Sequence, residues 1–470
     1  MCDVDFQAVR DEFALTEVFG PAEQREADTA ADRFAIGRRD RADLPLVTID
    51  PPGSCDLDQA MYIAADSAGY TVYYAIADVA ALVTPGGALD LETRRRGQTY
   101  YLPDGSVPLH PLSLSEGAGS LLPQQDRPAA LWEIRLDRAG EVVSARVDRA
   151  RVRSVARLDY HGVQADWESG RLHPSVEALA DVGRLRAAWG RAHGSVDLRL
   201  PEQEAVRGDD GWELRIEPRT AFDEWNAQIS LLTGMCAAQL MLRAGVGVLR
   251  TLPPADAKTV TALRRSAAAL GFDWPESTSV GEFLDGVDVS TPRGLAVMAD
   301  AVSLLRGAGY APFDGAVPEQ PLHAGVGAPY AHVTAPLRRL GDRFATEVCL
   351  AVSASAPVPD WVRSSLVQIA ETMHATDSLS AKVGRACIDL TEATILAGRV
   401  GERFAATVMR GDQVFVEQPA VIAKCAGDPP EGRAITVRLA RADVAARKVA
   451  FDYQPDMSPA GVKAQDAENV

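Results

Sequence analysis

The sequence predicts an α+β protein, in which a large mixed α/β domain lies between a short helical segment and a small β-barrel. Helical periodicity fills the first 40 residues, strand patterns dominate from 46 to about 155, and five short strand patterns follow Gly401. The 470 residues are enough for roughly two to four domains. The expected segments are residues 1–45, 46–398 and 399–455, followed by a polar, disordered tail at 456–470.

The first two segments differ in the spacing of their apolar residues, which is that of helices in the first and that of strands at the start of the second. Near Pro21, the proline and an acidic first turn favour the start of a helix. From residue 46 onward, YTVYYAIADVAALV and ALWEIRLDRAGEVVSARVDRARVRS have strand signals. The residues from Asp137 to Gly140 lie between two alternating stretches, so they predict a hairpin turn.

Helical periodicity returns in the second half of the large domain. Gly245 and Gly247 offer a stop for one helix, because glycine accepts the left-handed conformation that ends many helices. The last helix either breaks near Gly384 or is simply long. The predicted helices cover residues 174–192, 222–245, 256–270, 292–307, 336–353 and 360–397.

The region after Gly401 contains five short strand patterns, RFAATVMR, DQVFVEQ, AVIAKC, RAITVRLARAD and KVAFDY, separated by Gly, Asp and Pro turns. Five strands in about 55 residues fit a small barrel of the OB type. An SH3-like barrel would give the same pattern, so both remain open at this point.

Composition limits the possible function classes. The formal charge of −17 is awkward for a nucleic-acid-binding protein, although arginines cluster locally at 94–96, 149–153 and 338–339. The six cysteines are scattered without a CxxC pair, which is typical of reduced, buried thiols. No apolar run has transmembrane length, and the charged N-terminus lacks a signal-peptide core. We therefore expect a cytoplasmic protein that does not enter a membrane.

The segment VTIDPPGSCDLDQAMYI places three aspartates within nine residues, at the end of a predicted buried strand. Asp50 ends that strand, and Asp56 and Asp58 follow on an extended piece where alternate residues face the same side. Such carboxylates repel one another unless a hard cation neutralises them, and oxygen ligands suit Mg²⁺ or Mn²⁺. The alternative is an Asp-rich turn with helix-capping roles.

The segment YAHVTAPLRRLGDRFATEV suggests a helix that begins near Pro336. Arg338 and Arg339 would then lie against the positive end of the helix dipole, a local cost that suggests a task such as holding a phosphate. A salt-bridge network on a solvated face is the alternative.

A third segment, RRRGQTYYLPDGSVPLHPLSLSEGAGSLLP, carries Tyr100 and Tyr101 beside arginines and before a proline-rich loop. Aromatic side chains in this setting can stack on nucleobases. Half-buried core tyrosines with a tethered hydroxyl would give the same pattern.

These three motifs, in this order and followed by an S1-like end, resemble the ribonuclease II / ribonuclease R (RNB) family of exoribonucleases from about Leu46 to Asp452. The resemblance implies a mixed α/β RNB catalytic domain, a C-terminal S1-like OB barrel, and Mg²⁺-dependent (or Mn²⁺-dependent) 3′→5′ hydrolysis of single-stranded RNA to 5′-mononucleotides. The family's two N-terminal cold-shock barrels need roughly 150 residues, and only 45 precede Leu46. We expect a monomer of a short form.

The resemblance also implies roles for individual residues. Asp50, Asp56 and Asp58 match three metal-site aspartates, and Gln59 stands at the fourth position, where a neutral amide supplies no charge. Arg338 matches the first arginine of the motif that contacts the phosphate, with Arg339 beside it. The expected catalytic residues are Asp58 and Arg338, and the expected RNA-binding residues are Tyr101, Arg338 and Arg339.

Other positions depart from the family pattern. Leu198 stands where a second aromatic is expected, and Ala227-Gln228 stands roughly where the family has an acidic pair. These departures motivate one rival, an RNB-fold RNA-binding protein with lost or weak catalysis. The acidic net charge motivates a second rival, a metal phosphoesterase that acts on small substrates. The histidines offer no competing site, since His323 and His332 either line a channel or are structural.

Overall fold

The computed structural model describes residues 3–200, 202–209, 211–216 and 220–455, so the tail predicted at 456–470 lies outside the described residues. The α-helices in these ranges are α1 (Gln7–Glu12), α2 (Pro21–Asp28), α3 (Val79–Leu82), α4 (Ala88–Arg96), α5 (Tyr160–Glu168), α6 (Leu179–Ala192), α7 (Ala221–Ala244), α8 (Ala257–Ala269), α9 (Val280–Asp285), α10 (Pro292–Ala301), α11 (Leu340–Ser353), α12 (Asp360–Arg363) and α13 (Leu366–Leu396).

The strands lie mainly in the first third and the last part of the chain, as predicted. They are β1 (Arg39–Asp40), β2 (Leu46–Asp50), β3 (Gln59–Asp66), β4 (Gly69–Ala77), β5 (Tyr100–Leu102), β6 (Gly105–Val107), β7 (Asp126–Asp137), β8 (Val142–Asp159), β9 (Gln203–Gly208), β10 (Gly211–Ile216), β11 (Val246–Thr251), β12 (Gly309–Asp314), β13 (Leu322–His323), β14 (Ala328–Pro329), β15 (Arg403–Val408), β16 (Gln413–Val416), β17 (Val421–Ala426), β18 (Ala434–Asp443) and β19 (Lys448–Asp452).

The large sheet has the order β1-β8-β2-β3-β4-β7, and the long strand β8 pairs with β7 as well as with β2. β3, β4, β7 and β8 are joined by antiparallel pairings, whereas β2 runs parallel to β8 with Asp50 opposite Asp159. The hairpin turn predicted between Asp137 and Gly140 is confirmed. Gly140 has a φ of +82°, and its N–H donates to the carbonyl of Asp137 at 3.1 Å.

Two apolar clusters cover the two faces of this sheet, because alternate residues of a strand face opposite sides. Val47 and Trp132 belong to the larger cluster, which α6, α7, α11 and part of α13 complete. Leu46 and Leu131 belong to the smaller one, together with Leu337 from the predicted arginine segment. The end of β2 therefore lies between two packed layers, and its terminal Asp50 meets the loops at the edge of both.

Strands β15 to β19 form a closed barrel in the order β15-β16-β17-β19-β18, with β17 and β19 parallel. This pairing is that of an OB barrel and decides against the SH3-like alternative. The barrel core includes Phe404 and Phe451, whose rings meet edge to face at 5.8 Å. Leu396, at the end of α13, and Leu214 of β10 pack into the same core, which joins the barrel to the rest of the chain.

The predicted helix at 336–353 begins four residues later than expected, at Leu340. The N–H groups of Arg338 and Arg339 both donate to the carbonyl of Ala335, at 3.2 and 2.9 Å, and close a turn before the helix. Asp342, in the first turn of α11, accepts the N–H of Ala335 at 2.7 Å. The arginines therefore precede the helix, with Arg339 as its N-cap residue, and Asp342 in the first turn offsets the dipole cost of Arg339.

The other helix predictions differ at their ends, and one of them divides into two helices. Residues 174–192 begin with a 3₁₀ turn at Pro174–Val176 before α6, and residues 292–307 end as α10 followed by a 3₁₀ turn at Val302–Leu304. The segment 360–397 divides near Ser364 and not at Gly384, which α13 crosses without a break. Val383 and Cys387 are buried there, so packing on both sides of Gly384 offsets the roughly 1 kcal/mol that glycine costs inside a helix. Within the described ranges, no helix is both long enough and apolar enough to span a bilayer.

Candidate active site

The three sequence-predicted aspartates lie between strands β2 and β3. Asp50 is the last residue of β2, and Leu57, which is fully buried, anchors the loop that follows. The carbonyl of Asp58 accepts the N–H of Ala77 at 2.9 Å, which aligns the start of β3 with the end of β4. Asp56 and Asp58 flank Leu57, so the apolar contact of Leu57 fixes where both carboxylates lie.

Asp58 is buried and faces the turn that precedes α11. Its Oδ1 accepts the N–H of Leu337 at 2.7 Å, and its Oδ2 lies 3.7 Å from Nε of Arg338. Burial raises the pKa of the Asp58 carboxyl well above its usual value, although Arg338 and the Leu337 N–H oppose the shift. The site therefore holds a carboxylate that is short of positive charge.

Asp50 also has too little positive charge around it. Its Oδ2 is buried without a hydrogen-bond partner in the structure. Burial, with the nearby charge of Asp56, raises the pKa of Asp50 to about 6. An orphaned carboxylate oxygen next to a second carboxylate fits a hard divalent cation, which would restore the charge balance.

The convergence of all three carboxylates is only partial. Asp56 accepts a hydrogen bond from the hydroxyl of Tyr101 at 3.2 Å, whereas Asp58 is directed toward Leu337 and Arg338. Among the residues that the structure describes, no group of three or more His, Cys, Asp or Glu side chains is arranged to hold a metal ion. The donor chemistry fits a metal, and the assignment of the individual ligands stays a prediction.

Gln59, the residue expected at the fourth metal position, has protein partners on both sides of its amide. The Tyr74 hydroxyl donates to its Oε1, and its Nε2 donates to the carbonyl of Thr334 at 2.7 Å. The Thr334 hydroxyl in turn lies 2.8 Å from the hydroxyl of Ser230 on α7. Gln59 thereby connects β3 to the segment that leads into the arginines.

The two neighbouring arginines have different environments. The Arg338 side chain is 43% exposed and reaches Asp58 only at 3.7 Å, so its guanidinium keeps free donors. The Arg339 side chain is 17% exposed and contacts Asp342 at 2.8 Å through Nη2 and at 3.1 Å through Nε. Burial opposes the charge of Arg339, but Asp342 outweighs it and raises the pKa of the guanidinium. An RNA contact by Arg339 stays a prediction, whereas its bond to Asp342 braces the turn.

Tyr101 lies on the short hairpin formed by β5 and β6. Its neighbours Tyr100 and Leu102 are buried, at 5% and 7% exposure, while Tyr101 itself is 53% exposed. Because successive side chains of a strand face opposite sides, the buried neighbours direct the Tyr101 ring outward, over Asp56. An exposed ring beside carboxylates and Arg338 can stack on a nucleobase.

Family models match two regions of the chain. The RNB domain model matches residues 38–351, and the model of the RNase II-type exonuclease C-terminal S1 domain matches residues 402–454. The chain belongs to the RNB domain family.

Relatives of this RNB chain include ribonuclease R of Escherichia coli (strain K12), 31% identical over 324 residues, which are 65% of this chain and 39% of the relative. Exoribonuclease 2 of Edwardsiella piscicida is 28% identical over 380 residues, 77% of this chain and 58% of the relative. The chain thus spans about two fifths to three fifths of the length of these relatives.

Solved structures share the fold of the RNB chain. RNase R of Mycoplasma genitalium in its apo form has a TM-score of 0.83 and 19% identity, over 95% of this chain and 77% of that one. Yeast Ssd1, described as a pseudonuclease, has a TM-score of 0.68 and 17% identity, over 90% of this chain and 53% of that one. At these identities the likeness concerns the fold alone.

Sequence reasoning missed the polar side chains that helix α7 of this RNB chain contributes. Asn226 and Ser230 are one turn apart on α7, and they contact Tyr160 (3.2 Å) and Thr334 respectively. Their spacing of four residues was a usable signal, because such residues share one face of a helix. The positions compared with the family's acidic pair, Ala227 and Gln228, are on neighbouring faces.

The remaining residues singled out in the sequence contact neighbouring side chains. Leu198 packs against the apolar cluster of α8 to α10. Nδ1 of His332 lies 3.0 Å from the hydroxyl of Tyr310, and burial lowers the pKa of His332 well below its usual value. Burial also lowers the pKa of His323 to about 4. Both histidines are therefore neutral near pH 7, which favours the structural interpretation.

Proposed function

We propose that this chain is a metal-dependent 3′→5′ exoribonuclease that degrades single-stranded RNA to 5′-mononucleotides. The proposal rests on one arrangement. Asp50 and Asp58, two carboxylates with too little positive charge around them, lie near the half-exposed Arg338 and the exposed Tyr101 ring. A deficit of positive charge favours a divalent cation, a free guanidinium favours a phosphate, and an exposed ring favours a base. Arg338 and Tyr101 would thus bind the phosphate and the base at the 3′ end of an RNA, beside a bound cation.

The metal site would be formed by Asp50, Asp56 and Asp58, with the Gln59 oxygen as a neutral fourth position. When bound, Mg²⁺ or Mn²⁺ would supply activation of a water and neutralisation of the charge that develops on the phosphate. Hard oxygen ligands do not discriminate strongly between these ions.

The other residues act by position. Arg338 presents a planar fork of donors that fits two phosphate oxygens, and Asp58 limits its movement from the buried side. Tyr101 would stack on the 3′-terminal base while Asp56 holds its hydroxyl. Arg339 and Asp342 keep the turn that carries Arg338 closed. In this scheme the protein supplies orientation and fixed charges before the bond breaks.

We assign catalysis to residues 46–398 and further RNA contacts to the barrel at 399–455, in a monomer that acts in the cytoplasm. RNA as the substrate is supported by the solved complexes of Mycoplasma genitalium RNase R with ribose-methylated single-stranded RNA and with double-stranded RNA. The net charge of −17 disfavours indiscriminate polyanion binding. Binding would then depend on the local site around Arg338.

The rival with lost catalysis has its own support. Gln59 is neutral, Leu198 is not aromatic, and a pseudonuclease has the same fold. The rival that acts on small substrates is motivated by the acidic net charge.

One experiment separates the three functions. The full chain is incubated with 5′-labelled single-stranded RNA in 5 mM Mg²⁺ (roughly a saturating level for a hard-cation site), in Mn²⁺ and in EDTA, with a 2′-deoxy oligomer as control. A metal-dependent ladder with released 5′-mononucleotides supports the proposal. Binding without cleavage in either metal supports the pseudonuclease. Failure to bind RNA, with hydrolysis of bis(p-nitrophenyl) phosphate, supports the phosphoesterase and overturns the proposal.

A further inference from the structure

The N-terminal segment at residues 3–17 packs directly against the hairpin that carries Tyr101. Val4, Phe6 and Val9 are buried, with exposures of 7%, 1% and 0%. They share one apolar cluster with Tyr100 and Leu102 of the hairpin, and with residues 383–390 of α13. The segment is thus part of the packed structure around the hairpin and not a loose extension.

One ion pair fixes the tip of the hairpin to this segment. Asp104 lies in the turn between β5 and β6, and both of its oxygens accept hydrogen bonds from Arg10, at 3.0 and 2.9 Å. The Arg10 side chain is 8% exposed and also donates to Glu17 at 2.9 Å. The hydrogen bonds that Arg10 donates to Asp104, although opposed by burial, raise the pKa of Arg10. A two-point bond between planar groups fixes orientation as well as distance.

The base of the same hairpin is fixed to the arginine turn. The N–H of Thr99 donates to the carbonyl of Arg338 at 3.0 Å, and the N–H of Leu340 donates to the carbonyl of Gly97 at 2.9 Å. The hairpin therefore has two anchors, one at the backbone of Arg338 and one at Arg10. Tyr101 lies between them and points to the opposite side from its buried neighbours.

We infer that Arg10 is a positioning residue for the 3′-terminal nucleotide, because it holds the tip of the hairpin and thereby the Tyr101 ring over Asp56. This inference rests on the proposed function, since it assumes that Tyr101 contacts the end of the RNA. Asp104 is the hairpin's half of the pair, and the apolar contacts of Phe6 keep the segment in place. Without the pair, the hairpin keeps its base anchor, its three pairs of residues and the apolar contacts of Tyr100 and Leu102, but its tip loses its ionic contact with Arg10.

The test compares Asp104→Asn with a matched control, Glu17→Gln, in the full chain. Both changes remove a carboxylate that contacts Arg10 at 2.9 Å, but only Asp104 belongs to the hairpin. Asp104→Asn should raise KM for a short single-stranded RNA about fivefold with kcat changed less than about twofold, because a loosened ring weakens capture more than bond cleavage. Asp104→Glu should restore most of the loss, and Glu17→Gln should leave KM unchanged.

Amide hydrogen exchange at residues 98–107, measured without RNA, gives a readout that does not depend on turnover. We expect faster exchange at the hairpin in Asp104→Asn and wild-type exchange in Glu17→Gln. Unchanged exchange in Asp104→Asn would show that the Arg10–Asp104 pair does not hold the hairpin in place. Faster exchange with an unchanged KM would overturn its link to the RNA end. If the wild-type chain does not degrade RNA, the proposed function fails, and binding of an RNA with 2-aminopurine at its 3′ end then replaces KM. Equal quenching of that base by the wild type and Asp104→Asn would still overturn the inference.

Discussion

Asp58 and Asp90 are both buried aspartates near the start of α11, at 4% and 0% exposure, but their environments differ. Asp90 contacts Arg343 at 2.6 Å and Arg94 at 3.1 Å, and it accepts the Gly86 N–H at 2.8 Å. Although burial opposes it, this set of donors lowers the pKa of Asp90. Asp58 has only a distant Arg338 and one N–H, and its pKa is raised.

The comparison distinguishes a carboxylate that stabilises the fold, Asp90, from one that we propose to bind a ligand, Asp58. At Asp90 the protein itself completes the charge balance, so the carboxylate has no need of an outside partner. At Asp58 and Asp50 the balance is left incomplete next to a half-exposed arginine. Groups of this kind are costly in the folded state and mark sites that bind charged ligands. The four predictions below test this distinction, from the largest expected effect to the smallest.

Asp58→Asn and Asp90→Asn should have opposite consequences. Asp58→Asn should lower the rate of RNA hydrolysis by at least about a hundredfold with the fold retained, because it removes charge from the metal site. Asp90→Asn should cost about 3–5 kcal/mol of unfolding free energy, because it leaves Arg343 buried without a counter-charge. Chemical denaturation and single-turnover kinetics measure the two effects. A folded Asp58→Asn protein with more than half the wild-type rate would refute the site assignment.

The arginine pair sharpens the same distinction. Arg338→Lys should reduce turnover about tenfold or more, and reduce RNA affinity less, since lysine keeps the charge but loses the fork that fits a phosphate. Arg339→Lys should mainly lower the melting temperature, because Arg339 serves Asp342 within the protein. Steady-state rates and RNA binding at one salt concentration decide between them. Equal losses of binding and rate in Arg338→Lys would make Arg338 a general electrostatic contact.

A substitution at Gln59 tests whether the fourth expected metal position faces the metal. Gln59→Glu adds a negative charge and keeps an acceptor for Tyr74, but it loses the donor to Thr334. If this position faces the metal, the Mg²⁺ concentration for half-maximal rate should fall a few-fold, because ligand charge raises affinity for hard cations. An unchanged or higher requirement, in a titration beside the wild type, would make Gln59 a brace between β3 and Thr334.

Glu392 is a buried carboxyl group outside the candidate site, where α13 meets the barrel. Its Oε1 accepts from Gln203 at 2.7 Å and from the N–H of Ile422 at 3.0 Å. Burial outweighs these neutral donors and raises the pKa of Glu392 to about 7. The folded chain thus holds this proton more tightly than the unfolded chain does.

Stability should therefore fall as the pH rises from the ordinary carboxyl pKa toward 7, and the cost should stay constant above that. Glu392→Gln keeps the acceptor oxygen and has no charge to lose. Its melting temperature should exceed that of the wild type by about 2 °C at pH 8 and match it near pH 4.5. A difference of the same size at both pH values would show that folding does not raise the pKa of Glu392.

The sequence predicted those parts of the fold that depend on short-range pattern. The five barrel strands alternate regularly, and the turn at Gly140 and the stop at Gly245 rest on glycine conformations that neighbouring residues reveal. The start of α11 was predicted wrongly, because its turn depends on Asp342 accepting the N–H of Ala335. That bond is local, but Pro336 gave a stronger and misleading signal for a helix start.

In the candidate site, the sequence identified the residue types but not their partners. Gln59 meets Thr334 across 275 positions, and Arg10 meets Asp104 across 94. The different environments of Arg338 and Arg339, which are adjacent in sequence, depend on which one the fold turns toward Asp342. The two long-range contacts follow from tertiary packing, and no periodicity in the chain encodes them, whereas the Arg339–Asp342 pair is a local contact three residues apart.

Helix α13 connects the large domain to the barrel without interruption. The carbonyl of Thr376 accepts from Gln98 at 2.6 Å, close to the base of the Tyr101 hairpin, and Leu396 packs into the barrel core. The 20 residues between them correspond to about 30 Å of straight helix. The helix therefore fixes the distance between these two contacts. Its unbroken packing links the position of the barrel core to the position of the hairpin's base.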